Sequence, residues 1–242
     1  MFFPFFSWTY LLYVYLPIVV LSLLASGWVQ GTYRRYSQVP NSTGQTGAQV
    51  AQRILASIGL NHVQINIIDG DLTDNYDPRS KTLNLSRSVA TSNSVAAEAV
   101  AAHEIGHAQQ DAQGYFVMAW RSSLVPVANF GSQAAPLIVL AGLVLSWFTR
   151  GATGFGFFIA ELGLALFAVV VLFHLVTTPV ELNASRRALR LLADSGAILP
   201  EEQSGARRML RAAAFTYWVA LIASVLTLLY YASLVFGNRR SN

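Results

Sequence analysis

Residues 101–110 read AAHEIGHAQQ, and they contain two histidines, His103 and His107, that are four positions apart. Side chains at that spacing lie on one face of an α-helix, so both imidazoles can reach the same Zn²⁺ ion. Glu104 follows the first histidine, where its carboxylate is better placed to accept a proton from a water molecule than to bind the ion. The string therefore predicts a helix with two metal ligands and a general base. The alternative is an ordinary helix with two incidental histidines.

The residues around this string predict a small α+β region. Apolar side chains at helical spacing indicate helices, and short runs of alternating or β-branched side chains indicate strands. Between these runs, Pro, Gly, Asn and Asp favour turns. The predicted elements are an amphipathic helix over 48–60, a strand over 63–68, turns over 69–73 and 75–80, a strand over 81–86, and a helix over 94–114.

The composition predicts a membrane protein. Hydrophobic residues make up 54% of the chain and charged residues only 12%, whereas soluble domains contain roughly 25% charged residues. Four stretches contain at most one charged residue each, and each exceeds the ~20 residues with which a helix crosses the bilayer core. We predict spanning helices at about 9–28, 126–148, 157–178 and 214–235. The first is interpreted as a retained anchor and not a removed signal peptide, because no positive residue precedes it.

The basic residues indicate the orientation of these helices. Thirteen of the 16 Lys and Arg residues lie in two segments, 34–121 and 181–211, and the others are Arg150, Arg239 and Arg240. The positive-inside rule places both segments in the cytoplasm and both termini outside. A net charge of +4 could otherwise indicate a nucleic-acid partner. Because the topology already explains the distribution, no nucleic-acid partner is expected.

The third metal ligand has to be a histidine or a carboxylate, because the chain has no cysteine. Gln110 and Gln113 stand where a metzincin motif would continue with glycine and histidine, so that motif is excluded. Glu181 is the favoured candidate, since two predicted spans separate it from His107 and both then lie on one side of the membrane. Residues 178–181 also fit a helix capping box, which is the alternative.

Other ionisable residues are weaker candidates for a role in the metal site. His62 and His174 are the remaining histidines. Asp111 lies one helical turn beyond His107, where it is better placed to orient an imidazole than to bind the metal. A solvated helix end is the alternative interpretation of Asp111.

Three stretches resemble a known family, the YugP-like neutral zinc metallopeptidases of bacterial membranes, which belong with the gluzincins. They are AAHEIGHAQQ at 101–110, TTPVELNASRRAL at 177–189 and YDPRSKTLNLS at 76–86. The resemblance implies one Zn²⁺ per chain, held by His103, His107 and Glu181, with Glu104 as the catalytic residue. Related HtpX heat-shock and CAAX prenyl proteases carry Glu-x-x-x-Asp at the second motif. Ser185 stands at that aspartate position, which leaves open what orients the histidines.

The resemblance also implies how a substrate is held. In gluzincins an edge strand near the HExxH helix pairs with the extended substrate, which assigns that role to the strand over 81–86 and its residues Leu83, Asn84 and Leu85. An ordinary sheet strand is the alternative. Tyr76, His62 and Tyr115 are the candidates for stabilising an oxyanion, and the sequence does not choose among them.

Together these features predict an α-helical membrane protein with about four transmembrane helices and a small α+β, zincin-like catalytic domain. The predicted segments are a transmembrane anchor (1–33), a cytoplasmic zincin-like segment with the HExxH helix (34–121), a transmembrane hairpin (122–180), a cytoplasmic helix with the third ligand (181–211) and a last transmembrane helix (212–242).

The expected function is that of a zinc-dependent metalloendopeptidase in the bacterial inner membrane, with its site on the cytoplasmic side. Its expected partners are the lipid bilayer and polypeptide substrates, chiefly membrane proteins; the sequence does not reveal the oligomeric state. A non-catalytic zinc-stabilised scaffold is one alternative, because it would keep the ligands without a use for Glu104. A metal-ion transporter is a weaker one, because the predicted spans contain few polar residues.

Overall fold

A computed structural model describes residues 7–149 and 154–239 of the chain, so Arg150 and Arg240, which entered the charge distribution, lie outside the described residues. The described elements are α1 (Trp8–Ser37, with a π-helical turn at Leu11–Tyr15), α2 (Gly47–Ser57), β1 (Gln64–Ile68), β2 (Asn75–Asp77), β3 (Thr82–Ser86), α3 (Arg87–Thr91), α4 (Val95–Ala112), α5 (Phe116–Phe148), α6 (Phe155–Asp194) and α7 (Gln203–Arg239).

Four of these helices, α1, α5, α6 and α7, are long and apolar enough to cross a membrane. Each of them contains one of the predicted spans and extends beyond it. Helix α6 continues without interruption through Pro179. Because no helix begins there, the capping-box interpretation of residues 178–181 is wrong, and Glu181 lies inside a helix.

The chain divides into two compact units. The first combines most of the apolar helices, over 1–23, 120–178 and 217–242, and the second combines 24–119 with 179–216. Within the first unit, α5 and α6 approach closely at small residues. A Cβ atom added to Gly156 would collide with the Ser146 backbone nitrogen. Small residues allow such backbone contact between membrane helices.

The second unit contains a three-stranded sheet in the order β1-β3-β2. β1 runs parallel to β3, with Ile65 opposite Leu83, and β2 runs antiparallel to β3, with Tyr76 opposite Leu83. The turn predicted over 75–80 is wrong for residues 75–77, which form β2. Three residues are too few to show an alternating pattern, and only the pairing with β3 makes them a strand.

The prediction that the strand over 81–86 offers a free edge to a substrate is also wrong. β3 is the central strand, with β1 on one side and β2 on the other. Leu83 and Leu85 have no exposed surface, and Asn84 donates its side-chain amide to Asn75 of β2. These residues hold the sheet together and form part of its core. The edge strands are β1 and β2.

Helix α4 packs against the sheet and against α2 through small side chains. The N-cap residue Ser94 accepts a hydrogen bond from the Ala97 backbone N–H, which satisfies one of the free donors at the helix start. Six of the seven alanines of α4 are almost completely buried, and so is Ile105; only Ala112, at the C-terminal end of the helix, is exposed. Alanine favours the helix and lets its backbone come close to its neighbours. The predicted helix over 94–114 is confirmed, and it places the HExxH string within a buried helix.

Candidate metal centre

The candidate metal centre is assembled from α4 and from the part of α6 that belongs to the second unit. Helix α4 carries His103, Glu104 and His107, and α6 carries Glu181. His107 and Glu181 are buried, whereas the His103 side chain retains 13% exposure. The two imidazole rings meet edge to face, with their centroids 5.0 Å apart. The centre is therefore buried on one side and reachable from the side of His103.

Three donor atoms converge on one point. The Nε2 atoms of His103 and His107 lie 3.1 Å and 3.3 Å from Oε2 of Glu181. Two ligand atoms of a tetrahedral zinc site, each ~2.0–2.1 Å from the ion, lie about 3.3 Å from each other. The donor atoms of the three residues all lie within 4.8 Å of one another. Both the donor types and their separations fit a zinc ion.

Gln110 determines which nitrogen of His107 carries the proton. The Gln110 amide nitrogen donates to the Val180 carbonyl and to Asn183 Oδ1, so its oxygen remains as an acceptor. That oxygen lies 2.9 Å from His107 Nδ1. Nδ1 must therefore carry the hydrogen, and the lone pair of Nε2 is free for a metal.

Ser185 lies beside His103 as Gln110 lies beside His107. Its Oγ atom lies 3.3 Å from His103 Nδ1, one turn along α6 from Glu181. A hydroxyl can accept from an imidazole N–H, although more weakly than a carboxylate does. The serine thus contacts the imidazole from the position at which related proteases carry aspartate.

Arg187 ties α6 to α4 beside the centre. Its guanidinium donates to the side-chain oxygens of Gln109 and Gln113 on α4 and of Asn183 on its own helix. The guanidinium also lies 6.0 Å from the centre of the Tyr115 ring. These bonds set the alignment of the two helices that supply the ligands.

The Glu104 carboxylate is held by the backbone of the edge strand β2. Its Oε2 atom accepts the N–H of Tyr76 at 3.1 Å. Burial raises the pKa of the Glu104 carboxyl to about 7; the nearby Glu181 and Asp74 carboxylates add to the rise, and His103 opposes it. A cation at the three ligands would favour the ionised form.

Asp111 does not orient an imidazole, so that prediction is wrong. Its Oδ2 atom accepts hydrogen bonds from the Tyr76 hydroxyl and from Lys81 Nζ, both at 2.6 Å. Asp111 is one turn beyond His107, and this carries its side chain towards the sheet. Burial, together with the bond to Asp111, raises the pKa of Tyr76, so its phenol stays neutral and donates. Tyr76 contributes a backbone N–H to the site, and its hydroxyl is bound to Asp111.

Some residues of the centre were missed by sequence reasoning. Gln110 entered only as a departure from the metzincin motif, and Asn183 and Arg187 carried no signal of their own. One signal was present, because Gln110 is three positions after His107 and such side chains are neighbours on a helix. Among the described residues, the grouping of possible metal ligands contains His103, His107 and Glu181, and neither His62 nor His174 joins it.

Two imidazoles from one helix and a carboxylate from another, with a second carboxylate beside them, are the donor types found in the three-ligand metal centres that hydrolases use. Residues 10–236 match the profile of a family described as "Putative neutral zinc metallopeptidase". The chain belongs to this family.

A curated relative extends the comparison over nearly the whole chain. It is the "Putative membrane protease YugP" of Bacillus subtilis (strain 168), which is 37% identical over 236 residues, or 96% of this chain and 100% of the relative. No solved structure matches the chain significantly. The family and the relative support the resemblance that the three sequence stretches predicted.

Proposed function

We propose that this protein is a membrane-bound, zinc-dependent endopeptidase that hydrolyses peptide bonds with Glu104 as its general base. The observation that carries the proposal is the convergence of His103, His107 and Glu181 next to a buried carboxylate that is not needed as a ligand. A scaffold held together by zinc would not require a carboxylate beside the ligands. A buried carboxylate with a raised pKa next to three possible metal ligands indicates a chemical role.

The three ligands fit zinc, because each imidazole turns Nε2 towards Glu181 while its Nδ1 is engaged by Gln110 or Ser185. A zinc ion held there would supply a Lewis acid that acidifies a water molecule and polarises a carbonyl group. Three protein ligands leave a further position open, as in other catalytic zinc sites.

Glu104 moves the proton in this proposal. Because Oε2 is bound to the Tyr76 N–H, Oε1 is the oxygen that takes a proton from the attacking water. As the carbon–oxygen bond forms and the carbon–nitrogen bond breaks, the same carboxyl returns the proton to the leaving nitrogen. The carboxylate is regenerated, and the products are a new carboxyl terminus and a new amine.

The experiment that tests this function compares Glu104→Gln with the wild-type protein and with Glu201→Gln, which changes an exposed glutamate. We expect Glu104→Gln to keep about one zinc per chain and to lose peptide hydrolysis by roughly 100-fold or more. A quenched fluorescent peptide library reports hydrolysis. If Glu104→Gln hydrolyses peptides as fast as the wild type while holding zinc, Glu104 is not the general base. If both proteins hold zinc and neither hydrolyses the library, the scaffold alternative is correct.

The proposed substrates are membrane proteins or their cytoplasmic segments, and the proposed location is the bacterial inner membrane. The basis is the distribution of arginine and the four membrane-length helices. Because the chain has no cysteine, single cysteines can be labelled without background. We expect Ser204→Cys to react with a membrane-impermeant reagent only after the cells are opened. Phe155→Cys should react in intact cells, and the reverse pattern would invert the topology.

A further inference from the structure

A second site lies in the unit that contains the metal centre, in a groove between the end of α6 and the beginning of α7. Its volume is about 430 Å³. Two arginines from each helix line it, spaced four positions apart so that each pair lies on one helical face. They are Arg186 and Arg190 on α6, and Arg207 and Arg211 on α7.

These four arginines are not neutralised. All are exposed, and in the described part of the chain none forms an ion pair with a carboxylate. Arg186 donates only to the Leu182 carbonyl of its own helix. By contrast, Lys81 and Arg87 each lie within 4.0 Å of an aspartate. Four guanidinium groups around one groove create a strong positive potential, and the bound partner has to supply the negative charge.

The groove is also lined by apolar side chains. Leu182 and Leu189 line the α6 wall, and Leu210 and Ala214 line the α7 wall. Arg211 directly precedes residues 212–238, which contain no charged side chain. A ligand that fits this groove has an anionic part for the arginines and a hydrocarbon part for the leucines.

We propose that the groove binds the headgroup of an acidic membrane phospholipid. The planar guanidinium forms paired hydrogen bonds with phosphate oxygens, which favours arginine over lysine at such sites. Basic pockets at the ends of transmembrane helices bind anionic lipid headgroups in this way. A role only in membrane orientation requires positive charge, but it requires neither a groove nor apolar side chains in its lining.

The lipid groove also touches the metal centre. Ser185 lines it, and the Oγ atom of the same serine lies 3.3 Å from Nδ1 of His103. A bound headgroup therefore lies within one side chain of a metal ligand. Lipid binding itself does not require hydrolysis, so it can be tested whether or not the proposed peptidase function holds.

The test uses the full chain in a non-ionic detergent and titrates it with phosphatidylglycerol or with phosphatidylcholine of the same acyl chains, counting bound lipids by native mass spectrometry. Two groove variants, Arg186→Gln with Arg190→Gln and Arg207→Gln with Arg211→Gln, guard against a folding defect in either one. The control, Arg79→Gln with Arg87→Gln, removes the same charge outside the groove.

We expect the wild type to prefer phosphatidylglycerol, each groove variant to bind it about tenfold more weakly, and the control to bind it normally. Equal binding by groove variants and control would overturn the proposal, as would equal affinity of the wild type for both lipids. Displacement of the lipid by millimolar inorganic phosphate or by an acidic peptide would assign the groove to a soluble anion and overturn it too.

Discussion

Gly106 of α4 faces the backbone of Ala184 of α6 so closely that a Cβ atom on the glycine would lie 2.5 Å from the Ala184 carbonyl oxygen. Real Cβ atoms do not approach a backbone oxygen to that distance. The contact lies between the two histidines on one helix and three residues beyond Glu181 on the other. A glycine inside the HExxH string is therefore what allows the two helices to bring their ligands together.

This contact predicts that Gly106→Ala separates the ligands. The added methyl group collides with backbone, which cannot rotate away, so the helices have to shift at a cost of about 1–3 kcal/mol. We expect the variant to bind zinc at least tenfold more weakly in a competition with a chelator. Gly27→Ala is the matched control, because a Cβ atom at Gly27 meets nothing within 4 Å. Normal zinc affinity in Gly106→Ala would show that the close contact is not needed.

The hydrogen bond between Ser185 and His103 predicts a graded series at position 185. Ser185→Ala removes the acceptor at His103 Nδ1, and we expect zinc affinity to fall about tenfold. Ser185→Asp supplies a carboxylate at the same place and should restore the affinity or exceed it. The affinity is measured by chelator competition, with Ser204→Ala, an exposed serine, as the control. Equal affinity across the series would mean that residue 185 does not orient the imidazole.

Asp111 is expected to matter for stability and not for the metal. Asp111→Asn weakens the bonds to Tyr76 and Lys81, and we expect a loss of about 1–2 kcal/mol in the free energy of unfolding. Zinc affinity should change by less than twofold. The two measurements separate the alternatives, since a tenfold loss of zinc affinity would indicate that Asp111 acts on a ligand after all.

Glu98 predicts a dependence of stability on pH. Its side chain is completely buried, and among the described residues no well-formed hydrogen bond satisfies either carboxylate oxygen, although the Asn41 side chain is close enough to favour the ionised form. Burial, followed by repulsion from Glu202, raises the pKa of the Glu98 carboxyl from 4.5 to about 8, and the nearby Asn41 lowers it only in part. The folded protein therefore favours the protonated form.

The direction in which stability changes with pH follows from proton binding. Between pH 4.5 and about 8 the folded state holds a proton that the unfolded state has lost, so stability falls as pH rises, by at most ~1.4 kcal/mol per pH unit. Glu98→Gln keeps the neutral shape and should remove the part of the slope that Glu98 contributes, whereas Glu104, whose pKa is also raised, keeps its own contribution. Melting temperatures at pH 5.5 and 8 measure the difference, with Glu201→Gln as the control. If wild type and Glu98→Gln show the same slope, Glu98 is not the titrating group.

The sequence predicted the parts of this protein that depend on local pattern. The helix over 94–114, the amphipathic helix over 48–60 and the four long apolar helices all follow from periodicity or from the scarcity of charge. The two histidines proposed as ligands and the glutamate proposed as the general base were predicted from one string on one helix. Glu181 followed from topology and resemblance, and the structure brings it to the two histidines.

The failures all involve pairing between distant parts of the chain. β2 consists of three residues that form a strand only because β3 lies beside them, and β3 is central only because β1 and β2 take both its edges. Ser185 contacts His103 only because α6 packs against α4, and no periodicity within either segment predicts that contact.

The central claim is that one zinc ion is held jointly by α4 and α6, and the most direct measurement is the zinc content of purified Glu181→Gln. The substitution preserves the volume of the side chain and removes the carboxylate that both imidazoles face. We predict about one zinc per wild-type chain and per Glu201→Gln chain, and an affinity reduced by more than about 100-fold in Glu181→Gln. A Glu181→Gln protein that retains one zinc with wild-type affinity would contradict the account.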